Sequence, residues 1–119
     1  MIKEITSFLN KDFLFSSFVS IEPKQLNSRK KIQIYSACDI KKNFVSVFVI
    51  DQKSRFLIKN AKEIIELKDR LVLKEDHNFK KNIFIIKSAV CSKAINHFKE
   101  NKWIVYNDTL WYRKFDLSF

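Results

Sequence analysis

The sequence contains no glycine, and this absence excludes several kinds of ligand-binding loop. Loops that cradle phosphate groups need glycine, because it combines positive φ with close approach of the backbone to a ligand. A P-loop, a dinucleotide-binding fingerprint and a nucleophile elbow flanked by glycines are therefore excluded. Because Pro23 is the single proline, turns must be formed mainly by Asn, Asp and Ser.

Cysteine and long apolar segments are also scarce. Cys38 and Cys91 are the two cysteines, and neither has metal-ligand spacing to a histidine, so no zinc site is expected. No apolar run is long enough to span a bilayer. The segment 2–9 is interrupted by charges and does not resemble a secretory signal. We therefore expect a cytoplasmic protein with reduced thiols and no membrane association.

What the sequence does contain is typical of one globular domain. The chain has 119 residues, 46% of them hydrophobic and 12 of them phenylalanine, which is enough to build a core over 1–119. The net charge is +10, and such a charge attracts polyanions. Nucleic acid is the leading candidate partner and an acidic protein is the alternative. The excess is mainly lysine, which is also a trait of AT-rich coding.

Apolar periodicity predicts an α+β fold, with a mixed sheet, about three packed helices and a C-terminal β-hairpin. Helix crossovers between strands favour the mixed sheet over a purely antiparallel one. The predicted elements are a helix over 2–15, a polar connection over 22–31, strands over 32–38 and 44–50 joined by a turn at 39–43, a helix capped by Asn60, a strand over 83–86, a helix capped by Ser88, and a hairpin over 103–115.

One group of residues has the composition of a catalytic site. Asp39 ends the first strand of the predicted hairpin, and Asp51 and Lys53 end the second. Residues two apart in a strand point to the same face, so Asp51 and Lys53 should project together, and Asp39 is expected to reach them across the hairpin. Paired carboxylates bind Mg²⁺, and a lysine beside the ion can position or deprotonate an attacking water.

This pattern resembles the PD-(D/E)XK nuclease superfamily, in which an acidic residue precedes a hydrophobic strand that ends in acid-X-lysine. The resemblance implies a core of helix, three-stranded meander, helix and strand. It also implies Asp39 and Asp51 as Mg²⁺ ligands, Lys53 as the catalytic lysine and Glu4 as an additional acid. A plain structural interpretation stays open, in which Asp51 to Lys53 form a solvated strand end and Asp39 opens a turn.

Basic and aromatic residues give a second set of candidates, for nucleic-acid binding. Lysine and arginine contact phosphates, and aromatic rings stack on unpaired bases. The candidates are Arg29, Lys30, Lys31, Lys41, Lys42, Trp111, Arg113 and Lys114. The same residues are also compatible with solvated loops, with packing of the hairpin on the sheet, or with a protein interface.

The sequence therefore predicts a nucleic-acid-binding protein that is either a Mg²⁺-dependent nuclease of the PD-(D/E)XK kind or a degenerate relative of one. The alternative is a non-enzymatic interaction module that binds an acidic partner. The choice between DNA and RNA and the oligomeric state stay open at this point.

Overall fold

The structure is a computed structural model that describes residues 15–26, 32–52 and 54–106. In this part of the chain five strands form one sheet, and their order across the sheet is their order along the chain. The strands are Phe15–Ile21 (β1), Gln33–Asp39 (β2), Phe44–Asp51 (β3), Lys81–Lys87 (β4) and Ile104–Tyr106 (β5). The helices are Ile58–Glu75 (α1), Ser92–Glu100 (α2) and the short 3-10 helix Pro23–Leu26. Within the described residues, no helix is long and apolar enough to cross a membrane.

The sheet is mixed, and the connections explain why. A short turn joins β2 to β3, and these strands pair antiparallel, as do β1 and β2. Helices α1 and α2 carry the chain from β3 to β4 and from β4 to β5, and both of those pairs are parallel. Parallel neighbours require such a crossover, because the chain must return to the same end of the sheet. The predicted mixed sheet is confirmed.

Strand β3 lies at the centre of the sheet and is buried on both faces. Its residues 45–50 are all buried, which explains why this segment is apolar on both faces except for Ser46, whose hydroxyl donates to Asn82 Oδ1 at 2.6 Å. On one face, Phe48 belongs to a buried cluster that includes Phe84 of β4 and Phe98 of α2, and its ring contacts that of Trp103. On the other face, Val47 belongs to a second buried cluster. Truncating Phe84 to alanine would cost roughly 3–5 kcal/mol.

Helix α1 is amphipathic, and its polar cap comes from inside its first turn. A stripe of Ala61, Ile64, Leu67 and Leu71 is buried against the sheet. The residue before the helix is Leu57, which has no polar side chain, so Asn60 Oδ1 accepts a hydrogen bond from the Leu57 N–H at 2.9 Å. The prediction that Asn60 is the N-cap is therefore wrong: the N-cap is Leu57, and Asn60 is the third residue of the helix, from which its side chain accepts the Leu57 N–H.

Helix α2 begins later than predicted. Its N-cap is Cys91 rather than Ser88, and Cys91 Sγ accepts a hydrogen bond from the Ala94 N–H at 3.4 Å. The Ser88 hydroxyl instead donates to the Ala89 carbonyl at 3.1 Å. The helix buries Ala94 and Phe98, so the predicted helix is present although its cap is shifted.

The predictions of a first helix and a C-terminal hairpin fall partly outside the described residues. The described residues contain two α-helices where about three were predicted. The predicted first helix falls on 2–15, of which 2–14 lie outside the described residues, and Phe15 starts β1 instead. Of the predicted C-terminal hairpin, Ile104–Tyr106 is a strand paired in parallel with β4, and 110–115 lie outside the described residues.

Candidate functional site

Asp39 and Asp51 lie at opposite ends of the β2–β3 hairpin. Asp39 adjoins the turn, beside the Cα pair of Cys38 and Phe44. Phe44 and Asp51 are the first and last of the eight residues of β3, and at about 3.3 Å per residue they lie roughly 23 Å apart. One Mg²⁺ takes its oxygen ligands at about 2.1 Å. The register therefore excludes Asp39 and Asp51 as ligands of the same ion, and this corrects the expectation that they meet.

The Asp39 carboxylate has a structural role in the β2–β3 turn. Its Oδ1 accepts hydrogen bonds from the backbone N–H groups of Lys41 (2.9 Å) and Asn43 (2.8 Å), and its Oδ2 accepts one from Asn43 Nδ2 at 3.3 Å. The bond from the Asn43 backbone, more than any other contact, holds the pKa of Asp39 below its ordinary value, although burial opposes the effect. These oxygens are engaged within the turn.

Asp51 lies at the other end of β3, where it is exposed and borders a cleft. We call this the strand-end cleft, and its volume is about 390 Å³. The register partner of Asp51 in the parallel strand β4 is Lys87. Lys53, the predicted catalytic residue, lies outside the described residues, so its role stays a prediction. The lining of the strand-end cleft consists of Ile32, Ile50, Asp51, Gln52, Phe56, Asn60 and Ile64.

The strand-end cleft lies where strands end and helices begin. β3 and β4 both end at this edge of the sheet, and α1 and α2 both start from it. Two backbone hydrogen bonds tie the connecting loops together, from Phe56 N–H to the Ala89 carbonyl at 2.8 Å and from Cys91 N–H to the Phe56 carbonyl at 3.0 Å. Because helix N-termini carry partial positive charge, this edge favours anions.

Basic side chains reinforce that electrostatic character. Arg55 precedes α1, Lys59 and Lys93 lie in the first turns of α1 and α2, and Lys87 ends β4. We call these four residues the basic rim. Asp51 is the one acidic residue of the sequence within 51–60 and 87–94. Cations beside helix N-termini are opposed by the helix dipole, so the dipole does not explain why Lys59 and Lys93 lie there.

The side chains of the strand-end cleft do not fit the metal site that the family resemblance implies. Among the described residues that line it, Asp51 supplies the only carboxylate, beside the amides of Gln52 and Asn60. The described part of the chain contains no group of three or more His, Cys, Asp or Glu residues that could hold a metal ion. We therefore derive no reaction step through a metal held by Asp39 and Asp51.

The predicted nucleic-acid-binding residues are divided by the structure. Lys41 and Lys42 are exposed in the β2–β3 turn, at the end of the sheet away from the strand-end cleft. Arg29, Lys30, Lys31, Trp111, Arg113 and Lys114 lie outside the described residues. The sequence reasoning missed Lys59 and Lys93, although a lysine in the first turn of a helix that follows a buried strand was a signal that could have identified them.

Comparison with known proteins supports the fold. No family model and no curated protein matches the chain. A structure of EndoMS in apo form matches with a TM-score of 0.55 and 10% identity, covering 88% of this chain and 44% of that one. A repair endonuclease from Pyrococcus abyssi matches with a TM-score of 0.48 and 10% identity, covering 90% and 46%. An EndoMS–dsDNA complex matches with a TM-score of 0.49 and 11% identity, covering 89% and 43%.

At such low identity the likeness to the EndoMS structure shows a shared fold and nothing finer. The chain spans less than half the length of each of these structures.

Proposed function

We propose that this chain is a nucleic-acid-binding domain of nuclease-like fold, which holds the phosphate backbone at the strand-end cleft. The observation that carries the proposal is the meeting of two helix N-termini and the basic rim at one edge of the sheet. The EndoMS likeness supports nucleic acid as the ligand class at the level of fold. The net charge of +10 favours a polyanion over a neutral ligand.

The residues in the first turns of both helices also favour an anionic ligand. Neither α1 nor α2 has an acidic residue in its first turn, where acids would stabilise the helix. Lys59 and Lys93 occupy those turns instead and are exposed. An acidic residue there would stabilise the helix, whereas each lysine destabilises it by about 0.3–1 kcal/mol through the helix dipole. An anionic ligand at the strand-end cleft reverses that sign, because phosphate oxygens accept hydrogen bonds from lysine and from helix N–H groups alike.

The apolar floor of the strand-end cleft is also consistent with a nucleic-acid ligand. Ile50 and Phe56 are buried beneath the exposed carboxylate of Asp51, and amides of Gln52 and Asn60 border the opening. Amide side chains hydrogen-bond to phosphates and sugars without adding charge. Asp51 is the one group there that repels a phosphate, so binding at this edge must tolerate it or place it away from the backbone.

Metal-dependent cleavage is the competing activity. The nuclease-like fold is the observation that favours it, and Asp51 with Lys53 would have to be completed by an acid other than Asp39. We propose binding without cleavage, as in a degenerate relative of the nucleases. In the alternative, an acidic protein partner binds the same basic rim. An acidic polypeptide such as polyglutamate would then bind this chain more tightly than nucleic acid does.

The experiment is a binding titration of labelled single- and double-stranded DNA and RNA by fluorescence anisotropy, between about 50 and 200 mM salt. Four phosphate contacts by the basic rim predict a slope of log affinity against log salt of about −3 to −4. Lys59→Gln and Lys93→Gln should each reduce that slope by about 1. Lys99→Gln, an exposed lysine in the last turn of α2, is the matched control and should leave it unchanged.

The same samples should be incubated with Mg²⁺ or Mn²⁺ and run on a denaturing gel. Intact product is expected. Nicking that Asp51→Asn abolishes would replace the binding proposal with the nuclease. Absence of salt-dependent binding to any nucleic acid, together with tight binding of polyglutamate, would replace it with the acidic-partner alternative.

A further inference from the structure

A second exposed surface lies at the opposite end of the sheet, around the β2–β3 turn. We call it the turn patch, and it consists of Ile40, Lys41, Lys42, Phe44, His77 and Lys80. Two contacts join its two segments. The Lys80 N–H donates to the Phe44 carbonyl at 2.8 Å, and the rings of Phe44 and His77 stack with centroids 3.6 Å apart and an interplanar angle of 16°.

The stacked rings of the turn patch are held in place from below while one of them stays exposed. Phe79, which is buried, meets the His77 ring edge-on with centroids 4.9 Å apart. His77 Nδ1 lies 3.0 Å from the Asn78 carbonyl, which fixes the ring orientation further. Phe44 nevertheless keeps 40% of its surface exposed, although residues 45–50 of the same strand are all buried. The pair is therefore a positioned aromatic surface rather than part of the core.

The charge around the stacked rings is positive. Lys41, Lys42 and Lys80 are exposed, and none of them takes part in an ion pair within the described residues. The nearest carboxylate in sequence is that of Asp39, which is buried and accepts hydrogen bonds from the turn. An exposed aromatic ring with lysines around it is the combination that holds unpaired nucleotides, because the ring stacks on a base and the cations contact the adjoining phosphates.

We propose that the turn patch binds a single-stranded segment of nucleic acid, with an unpaired base stacked on the Phe44–His77 pair. The proposal rests on the proposed function, that the chain binds nucleic acid, and adds a second contact about 23 Å from the strand-end cleft. A duplex cannot use the stacked rings, because its bases are already stacked on both faces. Duplex contacts at the turn patch are therefore limited to the lysines.

The test compares an oligonucleotide of about ten unpaired nucleotides with a duplex of the same sequence. His77→Ala removes one ring from an exposed loop, and Phe44→Leu keeps an apolar side chain in β3 while removing the other. Each variant should weaken single-strand binding about tenfold and duplex binding less than twofold. Lys62→Gln, an exposed lysine on α1, is the matched control and should change neither. Thermal unfolding confirms that each variant is folded.

Proton NMR supplies a readout that does not depend on affinity. The chain has only two histidines, so the ring signals of His77 and His97 are simple to separate. Titration with the single strand should move the His77 ring protons through the ring current of the stacked base, while those of His97 on α2 stay in place. Titration with the duplex should move neither.

The outcomes separate this proposal from the proposed function. If the chain binds nucleic acid but both ring variants bind the single strand as tightly as the unaltered protein, the turn-patch proposal is overturned and the proposed function stands. If the unaltered chain binds no nucleic acid, both fail. Displacement of the oligonucleotide by polyglutamate or anionic lipid vesicles, equally from the unaltered protein and from His77→Ala, would show a general polyanion surface and would also overturn it.

Discussion

Aspartate and lysine residues lie at both ends of the sheet, but their surroundings differ between the two ends. At the strand-end cleft β3 and β4 end, helices begin and the Asp51 carboxylate is exposed. At the turn patch β2 folds back into β3, and the Asp39 carboxylate is consumed by hydrogen bonds of the turn. Two aspartates that end successive strands are therefore not equivalent. The backbone geometry around each determines whether its carboxylate is hydrogen-bonded within the fold or exposed.

Lysines also differ between the two ends. α1 carries Lys74 in its last turn, and cations there are favoured by the negative end of the helix dipole. Lys59 and Lys93, in first turns, are opposed by the positive end. Lys74 therefore has a structural explanation that Lys59 and Lys93 lack. This contrast is why we assign phosphate binding first to the cleft.

The largest expected effect comes from reversing the two opposed charges together. The Lys59→Glu, Lys93→Glu double variant should lose roughly 100-fold in nucleic-acid affinity at low salt, since two charge-assisted contacts become repulsive. The same variant should gain roughly 1–4 kcal/mol in free energy of unfolding, because each reversal replaces an unfavourable dipole interaction by a favourable one. Anisotropy and urea denaturation measure the two quantities. A loss of affinity accompanied by a loss of stability would mean that the lysines support the fold instead.

A smaller expected effect concerns the turn. Asp39→Ala removes the acceptor of three hydrogen bonds and should lower the unfolding midpoint more than Asp51→Ala does. Because the pKa of Asp39 is lowered in the folded state, the stability it contributes is present above the ordinary value of 3.8 and is lost as pH falls through the folded pKa. Urea denaturation from pH 6 to about pH 2 follows this loss. Equal acid sensitivity in Asp39→Ala would contradict the assigned role.

Next in size is the helix cap at the strand-end cleft. Asn60→Ala removes the acceptor for the Leu57 N–H and should cost about 0.5–2 kcal/mol of stability. Asn60→Asp preserves the acceptor and adds a favourable charge at the helix N-terminus, so it should be at least as stable as the unaltered protein. Thermal unfolding of the pair checks this. If Asn60→Asp were as destabilised as Asn60→Ala, loss of the hydrogen bond to the Leu57 N–H would not explain the loss of stability.

Much of the fold could be predicted from the sequence, because burial leaves a strong local signal. The run at 44–50, which is apolar except for Ser46, predicted a strand, and the mostly polar residues at 39–43 predicted the turn before it. Strand β1 was missed because three serines interrupt its apolar residues and its outer face is exposed. The helix starts were misplaced by a few residues. Asn60 is a common capping residue but accepts its hydrogen bond from within α1, and Cys91 is not a usual N-cap residue.

The candidate site was harder to predict, because it depends on register. A short turn pairs the residues that flank it and moves later residues progressively away, so Asp39 pairs near Phe44 and leaves Asp51 at the far end. The expectation that the two aspartates meet neglected this constraint. The approach of the two helix starts could not be predicted locally, since it depends on the bridge between Phe56 and Val90 in separate loops.

The most direct test of the central claim is to measure binding and cleavage by the Asp51→Asn variant beside the unaltered chain, with Mg²⁺ or Mn²⁺ present. We predict that neither protein cleaves and that the variant binds nucleic acid about two- to fivefold more tightly, because a repulsive charge has left the strand-end cleft. The contradicting result is metal-dependent cleavage by the unaltered chain that the variant has lost, which would make Asp51 a catalytic residue.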